Sequence, residues 1–285
     1  MKTNLLALCF WAFLPVFVSG QISNLRFEHL IIPDASELGS VDCMFEDSRG
    51  FMWFGTYFGL LLFDGYKITK FNYKPNDSTT ISDNKIRKIF EDKKGNLWVG
   101  TQNGLNYFDI KKRKFTRFTD TLKNRLGVFQ VNDIKHGMYN SVWVANVDGL
   151  YEFNEQTLQF KKQFPQSIAR VAIVNAIEFK NDSMFIATRK GLYFKENIHS
   201  DFKIIYPKNL NNIKDTLDVN TLQKDPDGTI WVGTSTGVYL LKTENNTISF
   251  DLATPLLSKD GIYFINYRND NTLWMGIGLS YKKNS

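Results

Sequence analysis

The hydrophobic residues of this chain fall into short runs separated by turn-forming residues, and the pattern is clearest between Ile86 and Phe118. A first apolar run is followed by an Asp-x-x-Gly turn and by the run Leu-Trp-Val-Gly-Thr. Successive apolar residues of this kind are typical of a strand that is covered on both faces. A third run opens at Gly104, and a fourth alternates apolar and charged residues. The stretch therefore predicts four antiparallel strands, of which the last has one face in water.

The same pattern recurs along almost the whole chain. An aromatic residue marks the second strand of each copy, at intervals of 42 to 46 residues: Trp53, Trp98, Trp143, Phe185, Trp231 and Trp274. Six repeats are predicted, at residues 41–73, 86–118, 131–164, 174–206, 219–250 and 262–285. A four-stranded unit of this length, with inner strands buried on both faces, is typical of a β-propeller blade. We therefore predict an all-β fold, a β-propeller of about six four-stranded blades.

The closure of the ring has two interpretations. Residues Asn24 to Ile31 alternate like the fourth strands but precede the first full repeat. A propeller can use such a strand to complete its last blade, which would give a closed ring of six blades. The last repeat, however, is shortened after Gly276 and ends in a polar tail. That feature favours an incomplete part of a seven-bladed propeller.

The first 20 residues have the features of a secretory signal peptide. Lys2 supplies the positive charge, Leu5 to Val18 is apolar, and small residues precede Gln21. The apolar run is shorter than the ~20 residues that a membrane-spanning helix needs. We expect a propeller domain at residues 21–285 with no membrane span, located in the periplasm or secreted.

The net charge bears on the expected partners, and the cysteine content bears on disulfide bonds. The formal net charge is +6, which suits acidic partners, but export argues against nucleic acid. The basic run from Lys111 to Lys114 falls between two strands and is interpreted as a solvated hairpin tip. Without the signal peptide Cys43 is the one remaining cysteine, so no internal disulfide is expected, and this thiol is interpreted as a small buried hydrophobe.

The sequence offers no assembled catalytic or metal-binding group. Its three histidines, His29, His136 and His199, stand at non-equivalent positions of the repeats, and no His-Glu-x-x-His motif or Cys/His cluster occurs. The acidic residues recur mostly at turns, where a structural role suffices. We therefore expect no enzymatic activity, no catalytic residues, no metal and no cofactor.

A binding function needs only exposed loops on one face. In a propeller the loop between the second and third strands lies on the same face as the connections between blades. Aromatic, amide and charged side chains there suit sugars, by stacking on ring faces and by bonding hydroxyls. The candidate ligand-binding residues in these loops are Tyr57, Phe58, Gln102, Asn103, Asp148, Arg189 and Lys190.

The repeat also resembles a known family. The pattern Asp-x-x-Gly-x-x-Trp-x-Gly-Thr-x-x-Gly-Leu, followed by an aromatic residue and Asp, is complete from Asp47 to Asp64 and from Asp92 to Asp109. It resembles the two-component regulator propeller repeat, which builds the extracytoplasmic sensor region of hybrid two-component systems in Bacteroidetes-type bacteria. The resemblance implies a periplasmic module that senses glycan breakdown products and signals to a histidine kinase.

Three hypotheses follow. The leading one is the ligand-sensing propeller of such a system, with an oligosaccharide or other small ligand as partner, together with the remaining sensor and kinase segments or a second copy of the chain. The transmembrane and kinase parts of the family do not occur in this sequence. The alternatives are a free-standing periplasmic or secreted binding propeller, lectin-like or protein-binding, and a propeller polysaccharide lyase or hydrolase.

Overall fold

The computed structural model describes residues 40–118, 130–137, 141–157, 159–163, 173–197, 199–205, 207, 217–244, 247–253, 261–267 and 272–278. Across these ranges the chain is built from β-strands and turns, with no helix. The predicted signal peptide, the strand expected at 24–31 and the tail after residue 278 lie outside the described residues.

The strands fall into six groups, called blades 1 to 6 in chain order. Blade 1 contains β1 (Val41–Glu46), β2 (Met52–Thr56), β3 (Gly59–Phe63) and β4 (Ile68–Phe71). Blade 2 contains β5 (Ile86–Glu91), β6 (Leu97–Thr101), β7 (Gly104–Asp109) and β8 (Lys114–Phe118). Blade 3 contains β9 (Val131–His136), β10 (Ser141–Asn146), β11 (Gly149–Asn154) and β12 (Gln159–Lys162).

The second half of the chain repeats this order. Blade 4 contains β13 (Val174–Lys180), β14 (Ser183–Thr188), β15 (Gly191–Lys195) and β16 (Lys203–Ile205). Blade 5 contains β17 (Val219–Lys224), β18 (Ile230–Thr234), β19 (Gly237–Glu244) and β20 (Thr247–Leu252). The described part of blade 6 contains β21 (Gly261–Tyr267) and β22 (Leu273–Gly278).

Each sheet joins its strands in sequence order and antiparallel, and the first strands of consecutive blades lie side by side. The second strands β6 and β10 are buried along their whole length, whereas β8 alternates exposed and buried residues. This arrangement confirms the predicted propeller and the predicted order of strands within a blade.

Consecutive blades meet at a residue with little or no side chain, glycine or alanine. A Cβ atom on Gly100 of β6 would lie only 2.7 Å from the Cβ of Val131, which opens β9 in the next blade. Gly55 stands in the same relation to Ile86, at 2.8 Å from its Cγ2 atom. At both joints the missing side chain makes room for a β-branched side chain of the next blade. Ala145 and Ala187, fully buried, take the equivalent place in blades 3 and 4.

Every first strand carries a β-bulge near its start, at the second residue in blades 1 to 5 and at the third in blade 6, where the pairing register shifts. A bulge changes the direction in which the side chain of the extra residue points. In three blades that residue is an asparagine whose side chain reaches the next blade. Asn132 donates from Nδ2 to the carbonyl of Val174 at 2.8 Å, and Asn175 donates likewise to Val219 at 2.8 Å. Asn220 repeats the bond to Ile262 at 3.1 Å. These amide bonds link blades 3 to 6 in series.

The turn between the first and second strands is organised by an aspartate. Asp47 accepts backbone hydrogen bonds from Arg49 and Phe51 on Oδ1, and its Oδ2 accepts from Trp53 Nε1 at 2.9 Å. In blade 5 the equivalent aspartate is Asp225, which accepts from Trp231 Nε1 at 3.0 Å. The bond to tryptophan belongs to Asp225 and not to Asp227, which lies two residues later in the same turn.

In blades 2 and 3 the turn residue and the core tryptophan have other hydrogen-bond partners. In blade 2 the Oδ2 atom of Asp92 accepts from the hydroxyl of Tyr107 at 3.1 Å, and the buried Nε1 of Trp98 has no hydrogen-bond partner among the residues that the structure describes. In blade 3, Trp143 donates to Ser141 Oγ at 3.0 Å. The tryptophans of blades 1, 2 and 3 are nevertheless at most 2% exposed, as expected of blade core.

The cysteine belongs to the joint between blades 1 and 2. Cys43 is a free, partly buried thiol, and its Sγ atom occupies the space beside Gly55. Burial raises the pKa of the Cys43 thiol to about 12, so at neutral pH it stays protonated and behaves as a small apolar group.

The two ends of the described array present apolar faces. Ile86 and Ile89 in β5 are 0% and 4% exposed, whereas Val41 and Met44, their equivalents in β1, are 49% and 67% exposed. At the other end, Phe264 in β21 is 53% exposed. The first strand of each inner blade is thus covered by a neighbour on a face that β1 leaves open.

We predict that Gly100→Ala destabilises the fold by about 1–3 kcal/mol, because the new methyl group overpacks against Val131. The free energy of unfolding in denaturant measures this loss. The double variant Gly100→Ala with Val131→Ala should recover part of it, since the two sites share one contact. If the double variant loses as much stability as the two single variants added together, the joint does not depend on this contact.

We predict that Asp47→Asn lowers the free energy of unfolding by about 1–3 kcal/mol at neutral pH, because a buried acceptor is lost. Burial disfavours the charged form of Asp47, but hydrogen bonds from Trp53, Arg49 and the backbone outweigh it and hold its pKa below the ordinary value. This stabilisation is present above the unfolded-state pKa of about 4 and is lost as pH falls through the native pKa.

The difference between the wild-type protein and Asp47→Asn should therefore shrink below about pH 4. Chemical denaturation at several pH values checks this, with Asp227→Asn on the exposed blade 5 turn as the control. A difference that stays constant down to the acid limit would contradict the role given to the carboxylate.

Candidate ligand-binding face

The turn between the second and third strands is closed by one hydroxyl. Thr56 donates from Oγ1 to the carbonyl of Gly59 at 2.8 Å and accepts from the backbone amide of Phe58 at 3.1 Å. The threonines of blades 2, 4 and 5 make the same pair of bonds. In blade 3, Asn146 takes over by accepting from the amide of Asp148 at 2.8 Å. The motif therefore fixes the backbone and leaves two residues per turn to vary.

These turns share one face with the connections between blades, here called the upper face. The first turn residue bonds the carbonyl of the residue that precedes the first strand, as Tyr57 does to Ser40 at 3.1 Å and Gln102 to Lys85 at 2.9 Å. Arg189 and Ser235 bond Ile173 and Asp218 in the same way. The predicted common face of turns and connections is confirmed at these positions.

Blade 1 presents two aromatic rings on the upper face. Tyr57 and Phe58 are 48% and 47% exposed, and their rings pack edge to face with centroids 5.6 Å apart. Asn72 donates from Nδ2 to the carbonyl of Phe58 at 2.7 Å. Together with the bonds that the turn amides donate to Thr56 and Ser40, the Asn72 bond holds the turn at several points. The two rings are therefore exposed on a backbone that is already ordered.

A lysine lies against this aromatic pair. The Nζ atom of Lys85 is 4.4 Å from the centroid of the Tyr57 ring, a cation–π distance. Asn84, the preceding residue, accepts from Asn72 Nδ2 and from the amide of Tyr73 at 3.3 and 2.7 Å. The connection between blades 1 and 2 thus packs beside the aromatic turn and places a positive charge there.

The rest of that connection is fixed by an arginine. Arg117 of β8 donates from Nε and Nη2 to the carbonyls of Thr80 and Asp77 at 2.7 and 2.6 Å. Its guanidinium also stacks over Tyr73 at 4.9 Å. Ile81, fully buried, anchors the segment in the joint between the blades. The loop that carries Lys85 therefore belongs to the rigid scaffold.

The other predicted site residues are spread over the turns of the later blades. Gln102 and Asn103 occupy the turn of blade 2, and Arg189 and Lys190 are both exposed on the turn of blade 4. Asp148 in blade 3 accepts from the hydroxyl of Tyr151 at 2.6 Å and from Lys162 Nζ at 2.7 Å. Burial, and then this bond, raise the pKa of Tyr151 above its ordinary value.

Sequence reasoning missed Lys85 and the two asparagines Asn72 and Asn84. The signal for Lys85 was its place immediately before a first strand, because such residues lie beside the preceding blade's turn. Asn72 follows a fourth strand directly, and nothing in the repeat pattern indicates that its amide reaches the Phe58 carbonyl. The aromatic pair was visible in the sequence, but its neighbours were not.

One turn has the spacing of a hydrolase motif. Residues 233–237 of blade 5 read Gly-Thr-Ser-Thr-Gly, with Ser235 in the central position. A nucleophile elbow requires a turn from a strand into a helix, whereas Ser235 lies between the antiparallel strands β18 and β19. Among the described residues no group of three or more potential metal ligands comes together. A search of the same residues finds no helix that could span a membrane.

The fold and the repeated turns define this chain as a β-propeller, and comparison with solved structures agrees. The extracellular domain of the hybrid two-component system BT3049 from B. thetaiotaomicron superposes with a TM-score of 0.69 and 22% identity, over 84% of this chain and 32% of that one. The corresponding domain of BT4673 gives 0.56 and 21%, over 86% and 38%. The chain thus spans about a third of the length of these domains.

Sequence comparison identifies the repeat. Residues 37–58, 80–103 and 213–236 match the profile of the two component regulator propeller. In blades 1, 2 and 5 the match ends on the upper turn. Three repeats of this propeller, those of blades 1, 2 and 5, therefore match the two component regulator propeller.

Two further comparisons are less specific. Virginiamycin B lyase from Staphylococcus aureus superposes with a TM-score of 0.62 at 11% identity, over 88% of both chains, which shows a shared fold. No curated protein sequence matches the chain significantly.

We predict that Thr56→Val loosens the blade 1 turn without unfolding the protein, because it removes the acceptor for the Phe58 amide. Hydrogen exchange at that amide should accelerate by about tenfold or more, as local opening needs less free energy. Thr101→Val is the matched control, which should accelerate exchange at Asn103 and leave Phe58 unchanged. Equal acceleration at both turns in either variant would point to global destabilisation.

Proposed function

We propose that this chain is the ligand-sensing propeller of a hybrid two-component system and that its ligand is an oligosaccharide. The exposed pair Tyr57 and Phe58 on a hydrogen-bonded turn carries this proposal. Aromatic rings of this size remove much apolar surface from water when a ligand covers them. Because their turn is already ordered, little conformational entropy is lost on binding.

A sugar is the ligand class that fits both the rings and their surroundings. Pyranose rings have apolar C–H faces that stack on aromatic side chains, and hydroxyls at their edges that need polar partners. The turn of blade 2 offers amides at Gln102 and Asn103, and the turn of blade 4 offers cations at Arg189 and Lys190 on the same face. Asp148, already bonded to Tyr151 and Lys162, would contribute through its remaining hydrogen-bonding capacity.

The similarity to extracellular domains of hybrid two-component systems supports the sensor role. On this proposal the chain is exported to the periplasm through its N-terminal signal, binds its ligand without chemical change, and passes the signal to sensor and kinase segments or to a second copy. A free-standing binding propeller would share the ligand site but lack the signalling step. Nucleic acid and membrane insertion have no part in either.

We predict that the protein binds a neutral oligosaccharide from a panel of plant and microbial glycans, measured by isothermal titration calorimetry. Tyr57→Ala with Phe58→Ala should weaken binding by about tenfold or more, since stacking is lost. Tyr66→Ala is the matched aromatic control, because Tyr66 is 98% exposed and lies in the turn between β3 and β4, away from the upper face.

Unchanged binding in the Tyr57/Phe58 variant would exclude these residues from the ligand site. A panel with no binding at all, from a protein that unfolds cooperatively, would overturn the oligosaccharide proposal. Signalling needs a second readout: a ligand-dependent change in the oligomeric state of the periplasmic segment supports the sensor, and its absence supports the free-standing alternative.

A further inference from the structure

The ammonium group of Lys85 has an aromatic ring as its partner, whereas several other lysines of the described structure pair with carboxylates. Lys88 pairs with Asp133 at 2.8 Å, Lys135 with Glu178 at 2.9 Å, and Lys162 with Asp148 at 2.7 Å. For Lys85 the one partner within the described residues is the ring of Tyr57, at 4.4 Å. An aromatic ring attracts a cation but does not neutralise its charge, so Lys85 keeps the capacity to bind an anion.

The neighbouring carboxylate does not cancel this charge. Asp83 Oδ1 accepts a hydrogen bond from the backbone amide of Lys85 at 2.8 Å. This bond holds the Lys85 backbone beside the turn, and no ion pair between Asp83 and Lys85 Nζ occurs in the described structure. The lysine is therefore positioned by its main chain while its side chain faces the exposed aromatic pair.

The nearby arginine is in a different state. Arg117 also lies over a tyrosine, but its guanidinium donates to the carbonyls of Lys74, Asp77 and Thr80 and so holds the connecting loop. Arg117 is a structural cation and Lys85 is not. The cation and the two rings of blade 1 thus form a compact group, here called the Lys85 subsite, which consists of Tyr57, Phe58 and Lys85.

We propose that the Lys85 subsite selects anionic sugars, in which a carboxylate or sulfate group lies beside the ring face that stacks on Tyr57 and Phe58. This inference rests on the proposed function, because it assigns a charge to the oligosaccharide of the same site. Lys85 acts as a specificity-determining residue: its ammonium donates a charge-assisted hydrogen bond to the anion, while the aromatic rings hold charged and neutral sugars alike.

The experiment compares matched ligands that differ in one charge type. Trigalacturonic acid and its full methyl ester share a backbone, as do a sulfated disaccharide and its desulfated form. Calorimetry should show that the protein binds the anionic member of at least one pair about tenfold more tightly, the effect expected of a hydrogen bond to a charged group. That preference should fall as NaCl is raised, whereas binding of the neutral member should change little. The pair that shows it identifies the anion as carboxylate or sulfate.

The variants assign the preference to one residue. Lys85→Met should remove the difference between the anionic and neutral members while leaving the neutral affinity within about twofold, and Lys85→Arg should keep the difference. Lys67→Met removes the same charge from the exposed turn between β3 and β4, away from the upper face, and should keep it too. Thermal unfolding at an unchanged temperature confirms that each variant is folded.

Equal affinities within both pairs for the wild-type protein, or a preference that survives Lys85→Met, would overturn this inference. Either result leaves the proposed function in place as long as the neutral sugar binds and the Tyr57/Phe58 variant abolishes it. Loss of neutral binding in Lys85→Met would also overturn it, since the lysine would then support the aromatic rings rather than choose the charge.

Discussion

The structure depends on the short distance between the second strand of one blade and the first strand of the next. In five blades a β-branched residue at or next to the start of the first strand is fully or almost fully buried: Ile86, Val131, Val174, Val219 and Ile262. Each packs where the preceding blade carries glycine or alanine, because a larger side chain would occupy the same space. The same contact made five times sets the blades in series, and the bulge amides of Asn132, Asn175 and Asn220 follow from that spacing.

The two ends of a blade are stabilised by separate devices. At the turn between the first two strands, Asp47 or Asp225 joins the loop backbone to the core tryptophan. At the upper turn a threonine hydroxyl bridges the two ends of the loop. Both devices use a side chain to satisfy backbone groups that the strands leave unpaired. The backbone of the upper turn is fixed by the threonine and the following glycine. The two residues between them are therefore free to vary without loss of these bonds.

The repeat predicted most of this scaffold, since its glycines, tryptophans and threonines each perform one local task. What it could not predict depends on contacts between blades. The Val-Asn pair that opens β9, β13 and β17 was present in the sequence, but its meaning required the bulge that turns the asparagine outward. Asp225 and Asp227 both fit turn chemistry, and only the structure shows that Asp225 bonds the tryptophan. Lys85 lies 28 residues from Tyr57, and only the packing of the intervening connection brings them together.

The separation between residues that fix a turn and residues that can vary explains where a ligand site can arise. A turn whose backbone is held by Thr56, Asn72 and Ser40 can carry rings that face water without becoming disordered, so side chains change there at little cost to the fold. Each upper turn is then a separate position for ligand chemistry, aromatic in blade 1, amide in blade 2, cationic in blade 4 and hydroxyl in blade 5. A branched or extended ligand that contacts several blades would be recognised by the side chains of several upper turns together. Specificity would therefore reside in the residues that the repeat leaves open, while the repeat itself supplies the rigidity that makes weak contacts additive.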